Sequence, residues 1–83
     1  MVSSDQVKEL IAQHIEVEHV AAELNGANIN LVVVSQAFEG LSSVKKQQQV
    51  YACLKDLIAS GALHAVTMKL YTPAEWKQAR HFI

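Results

Sequence analysis

The sequence predicts one small α+β domain, a three-stranded mixed sheet with its helices on one face. Three observations carry that expectation. The chain has 83 residues, 51% of them hydrophobic and only 6% aromatic, enough for a single aliphatic core and not for two. Two strand-like runs flank Asn25-Gly26-Ala27-Asn28, whose Asn and Gly tolerate the positive φ of a hairpin turn. A helical stripe then separates the second run from a third, so those two strands should be parallel with a right-handed crossover. The element order reads αββααβ plus a last short helix, with the core over about residues 4–76 and residues 77–83 as a C-terminal tail.

The elements follow in order. Ser3 and Gln6 have capping-box spacing, and Val7, Leu10, Ile11 and Ile15 recur at helical spacing with His14 on the same stripe. A helix from about Ser4 to His14 follows. In "EVEHVAAEL" Val17 and His19 alternate against Glu16 and Glu18, which reads as an imperfect first strand. "INLVVVSQAF" is the second, apolar enough to be covered by neighbours. "EGLSS" breaks the chain at Gly40, and Ser42 or Ser43 is free to cap. From Val44 to Ser60 the stripe of Val50, Tyr51, Leu54, Leu57 and Ile58 predicts a helix closed by Gly61. Its first part, "VKKQQQ", has only Val44 as an anchor and could form a separate turn. The third strand runs over about Leu63 to Tyr71 with Val66, Met68 and Leu70 on one face. Thr72, Pro73 and Glu75 then have the spacing of a helix start.

Several functional classes are disfavoured at once. Net charge is −1 with four histidines counted neutral, unlike the basic footprint of a dedicated nucleic-acid binder. The single cysteine, Cys53, rules out an internal disulfide and fits a reducing compartment. The N-terminal stretch lacks a basic segment followed by an apolar run, and the apolar run Val50 to Leu54 is far too short to span a bilayer. A soluble cytoplasmic protein without membrane association is expected. There is no phosphate-binding glycine loop, nucleophile elbow, paired cysteine or His-Glu-x-x-His, and Ser42 with His64 lacks an evident third orienting residue. No enzyme is expected.

A few residues can carry chemistry. His64 sits near the start of the third strand, where an imidazole can be packing, a general base or a metal ligand. Cys53 falls between Val50 and Leu57 on the helix stripe and reads as a small core hydrophobe. Lys45 and Lys46 form either a solvated face or a contact for an anionic partner. Arg80 lies near enough to the end of the third strand to touch a partner.

The stretch from Phe38 to Trp76 resembles the BolA-like proteins. Their pattern is Phe-x-Gly-x-Ser, a basic pair, Gln, Val-Tyr, Ile/Leu-His-Ala and Thr-Pro-x-Glu-Trp. Here Phe38, Gly40, Ser42, Lys45, Lys46, Gln47, Val50, Tyr51, His64, Ala65, Thr72, Pro73, Glu75 and Trp76 fill it. The Lys-Lys pair is most similar to the bacterial acid-response branch. The resemblance implies a fold like a type II KH domain and no catalytic activity. It implies a partner, a monothiol (Cys-Gly-Phe-Ser) glutaredoxin. With it the chain would share a 2Fe–2S cluster supported by glutathione, and hold none by itself. The histidine of the Leu-His-Ala motif, His64, would be a cluster ligand. The family often supplies a second ligand from the loop between the first two strands, but "ELNGAN" has neither His nor Cys, so His19 is the nearest candidate.

Two other readings stand beside this one. One is a DNA-binding regulator using the helical region after Phe38, with weak binding through Lys45 and Lys46. The other is a homodimeric interaction module. Recognition of RNA in the KH manner is disfavoured, because "GLSS" lacks the second glycine of a G-x-x-G loop.

Overall fold

The computed structural model describes residues 2–80. Helix α1 spans Ser4–His14, strands β1 and β2 span His19–Asn25 and Asn28–Val34, α2 spans Ser43–Ala59, β3 spans Ala65–Tyr71 and α3 spans Pro73–Arg80. A single 3-10 turn, Gln36–Phe38, precedes α2. The sheet order is β1-β2-β3, antiparallel then parallel, as the turn and the crossover helix require. Among the described residues no helix is long and apolar enough to cross a membrane.

Register sorts the side chains. Paired residues share a sheet face, so the rows Val20–Val33–Leu70, Ala22–Leu31–Met68 and Leu24–Ile29–Val66 point one way. They meet Val7 and Ile11 of α1 and Val50, Cys53 and Leu54 of α2 in the core. The other rows, among them His19–Val34–Tyr71, point to the opposite face. Val34 is fully buried yet stands outside the core cluster. The cover at its row comes from α3: the Trp76 ring stacks on His19 at 5.2 Å and tilts against Tyr71 at 5.5 Å. The helices therefore do not all lie on one face. α1 and α2 cover one side, and Trp76 of α3 closes one end of the other.

The first helix begins and ends where its spacing predicts, with Ser3 Oγ accepting the Gln6 amide at 3.1 Å. His14 is not on its buried stripe; the ring is exposed, with Nδ1 2.9 Å from the Leu10 carbonyl. The first strand starts at His19, not Glu16. Val17 packs on the core, and so does Val20 three residues later. A bend at Glu18, whose amide bonds the Val34 carbonyl at 2.8 Å, shifts the alternation by one residue. His19 is left on the opposite face. In the hairpin turn Gly26 has φ 61, and among the described residues only glycines have positive φ, which fits glycine at the first central position of a II′ turn.

The second strand stops at Val34. Ser35 is fully buried. Its hydroxyl donates to the Glu16 carbonyl and accepts the Ala37 amide, and its own amide bonds the Tyr71 carbonyl at 3.0 Å. That pin turns the chain into the 3-10 segment and drives Phe38 into the core at 0% exposure. The extra helical turn of the predicted order thus lies before Gly40. "VKKQQQ" belongs to a continuous α2 capped by Ser42. Val44 is no anchor, being 62% exposed, and Tyr51 leaves the buried stripe at 42%.

At α3, Thr72 Oγ1 accepts the Glu75 amide at 3.2 Å and Glu75 Oε1 accepts the Thr72 amide at 2.8 Å. This reciprocal box satisfies two helix-end donors. The helix continues to Arg80, so the tail expected from Lys77 is helical that far; residues 81–83 lie outside the described part. Lys46 Nζ approaches the same Glu75 oxygen at 3.3 Å. The Thr72 amide, then the Lys46 ammonium, hold the Glu75 carboxyl below its usual range. The folded state therefore binds this proton less tightly than the unfolded chain. The contribution is complete above the unfolded carboxylate range near pH ~4.3 and fades as pH falls through the lower folded value. Glu75→Gln should flatten that acid-side slope in urea melts. Thr72→Ala should lower stability by about 1 kcal/mol at neutral pH.

Candidate functional site

His64 is the last residue before β3 rather than its member. Its backbone amide bonds the Ala27 carbonyl of the hairpin turn at 2.8 Å, and its side chain is exposed. α2 ends one turn earlier, where Gly61 at φ 81 donates its amide to the Ile58 carbonyl at 3.1 Å. The imidazole stands over that turn, with Nε2 3.9 Å from where a Gly61 β-carbon would be. Leu63, 1% exposed, anchors the loop in the core from the preceding position. The main chain is thus tied on both sides while the ring meets solvent. Beside it lies an apolar hollow lined by Val2, Leu24, Gly26, Ala27 and Ala62.

His19 is at the opposite pole. It pairs with Val34, which pairs with Tyr71, whereas His64 adjoins the Asn25–Asn28–Ala65 row. Six strand steps separate the rows, roughly 20 Å at 3.3 Å per residue. The two imidazoles cannot ligate one centre, and His19 is engaged in the stack on Trp76. Its role as a second ligand is corrected on that geometry. Among the described residues no group of three or more His, Cys, Asp or Glu could hold a metal ion. The donor set at the His64 pole is one imidazole. It fits a cluster whose other ligands come from elsewhere and does not fit a self-contained metal site.

The basic residues also lie away from His64. Lys45 and Lys46 occupy the N-terminal turn of α2, about 20 Å along that helix from its C-terminal end. Lys46 is committed to Glu75, with a side chain only 13% exposed. Lys45 is exposed. Arg80 closes α3 by its backbone, and its side chain lies outside the described part. No local spacing signals that the two lysines and His64 sit at different ends of the sheet.

Cys53 is in the core, as its place on the helix stripe predicts. It is 8% exposed, and its thiol donates to the Gln49 carbonyl at 3.3 Å. Burial pushes the thiol above its ordinary pKa, against a smaller lowering from a backbone hydrogen bond. Native Cys53 should therefore react slowly with a thiol reagent and rapidly in denaturant. Cys53→Ala should cost about 1 kcal/mol. Cys53→Ser should cost more, since the hydroxyl is the more expensive group to bury.

A mixed three-stranded sheet, helices packed mainly on one side and an exposed imidazole on the loop into β3 define a small α+β module. The sequence pattern described as BolA-like protein matches residues 7–75, and the chain belongs to that family. It is 35% identical over 77 residues to the acid stress protein IbaG of Escherichia coli, covering 93% of this chain and 92% of the relative. The crystal structure of a bol-like protein from Babesia bovis superposes with a TM-score of 0.86 at 31% identity, covering 96% and 95% of the two chains. The BolA domain of SufE1 from Arabidopsis thaliana gives 0.80 at 29% identity, covering 90% and 99%.

Proposed function

We propose that this protein is a non-catalytic iron–sulfur partner that binds a monothiol glutaredoxin and co-ligates a 2Fe–2S cluster through His64. The observation that carries the reading is the exposed His64 ring on a main chain fixed by the Ala27 bond and by buried Leu63. A solvent-facing imidazole on a fixed main chain can complete the coordination of iron brought by another molecule. Substituting it for a thiolate raises a cluster's potential. The apolar hollow beside it offers that molecule a dry foothold. A role in cluster trafficking or in iron and stress regulation in the cytoplasm follows, and the acid-stress name of the Escherichia coli relative agrees with the second.

The alternative, a DNA-binding regulator, has less support. Lys46 is neutralised by Glu75, which leaves Lys45 as the exposed member of the pair and a weak, salt-sensitive attraction. Mixing the protein with a monothiol glutaredoxin, iron, sulfide and glutathione tests the leading reading. A visible spectrum distinct from that of the glutaredoxin alone is expected. An unchanged spectrum with no co-migrating complex overturns it.

A further inference from the structure

The outer face of α2 has no partner within the chain. Val44 is 62% and Tyr51 42% exposed, the large apolar side chains that stand out on the described surface. With half-buried Ile58 they follow a seven-residue spacing, so each is displaced only about 20° around the helix from the last. Gln48, Ala52, Lys55 and Ala59 complete an apolar groove of about 470 Å³ around Tyr51 and Ile58. Lys46 is not part of it, being turned toward Glu75.

We propose that this face pairs with α2 of a second copy of the chain, antiparallel about a two-fold axis through Tyr51. The stripe is symmetric about that residue, with Val44 seven positions before it and Ile58 seven after. In an antiparallel pair Val44 of each copy therefore meets Ile58 of the other, and the Tyr51 rings meet on the axis. The charges obey the same symmetry. Lys45 lies six positions before Tyr51 and Asp56 five after, on one flank of the stripe. Both are exposed, and neither is in an ion pair among the described residues. Antiparallel pairing sets the same flanks of the two helices against each other, so Lys45 of one copy faces Asp56 of the other, twice. Lys55, on the same flank four positions after Tyr51, falls opposite Gln48.

One helix of 17 residues per copy is about 25 Å long, short of a standard-sized interface. The dimer is therefore weak and concentration-dependent. It does not rest on the role of His64.

Sedimentation equilibrium of the intact protein over a wide concentration range tests the pairing. Reversible dimerisation is expected for the wild type. Tyr51→Glu should abolish it with the far-ultraviolet circular dichroism of the wild type retained, since the side chain is partly solvated. Lys45→Glu should weaken it about tenfold, since two attractive contacts become repulsive. Adding Asp56→Lys to that variant should restore it. A protein that stays monomeric at every concentration overturns the proposal and leaves the face to a different molecule. A dimer that survives Tyr51→Glu, or a double variant no better than Lys45→Glu, overturns it as well.

Discussion

His64→Ala is expected to leave the free protein folded as before and to erase its imprint on a glutaredoxin-held cluster. The substitution keeps the one hydrogen bond recorded at this residue, which runs from the backbone amide to the Ala27 carbonyl, and it removes an exposed ring. Thermal melts should therefore coincide with wild type to within the ±0.5 kcal/mol typical of surface changes. Visible circular dichroism of the mixed complex should collapse toward that of the glutaredoxin alone. The cluster should be lost to a chelator at least about tenfold faster, since removing merely a group behind a ligand already costs that much. His64→Cys is the informative companion. It restores a donor at the same place, so a ligand role predicts a stable cluster with a shifted spectrum. Superimposable spectra and lifetimes for wild type and His64→Ala would sink the ligand assignment.

Phe38→Ala should have the largest effect on the fold. Phe38 is the bulkiest fully buried side chain of the described residues, delivered to the core by the Ser35-pinned 3-10 turn. Emptying such a site costs about 3–5 kcal/mol, against a total stability of about 5–15 kcal/mol for a domain. The melting temperature should fall by roughly 12–40 °C, at about 4–8 °C per kcal/mol for a chain of this size. Tyr51→Ala is the contrast, since the side chain is 42% exposed on α2. At concentrations where the protein is monomeric it should change stability little. Equal destabilisation by the two would contradict the burial assigned to each.

Much of the fold was legible in the sequence because its signals are local. The start of α1 rests on a hydroxyl three residues from the amide it caps, and that of α3 on the Thr72–Glu75 box. The turn at Gly26 and the stop at Gly61 rest on a backbone angle few other residues take. What escaped depends on partners distant in the chain. The shifted alternation at Glu18 is set by the Val34 carbonyl, and the end of β2 by Ser35 reaching Glu16 and Tyr71. The exposure of Tyr51 follows from how α2 is rolled on the sheet, which helical spacing alone does not fix. The candidate site divides in the same way. The Leu-His-Ala motif marked His64. The distance from it to His19, and the capture of Lys46 by Glu75, appear only once strand register and the α2–α3 contact are known.

The three-stranded sheet has its central strand paired on both sides, while β1 and β3 each have one side without a strand partner. Unmatched edges of this kind are where chains begin to aggregate. The hazard is directional here. A β1 edge laid on the β3 edge of another molecule would repeat head to tail without closing, which is the geometry of a filament. Glu23 on β1 and Lys69 on β3 stand exposed on the face away from the core; the hydration of each resists another strand on its edge, and like edges also repel, whereas β1 on β3 brings opposite charges near each other. These edge residues have no part in the core or the proposed site. Their loss would show first in shelf life and turbidity on heating, with the melting temperature untouched.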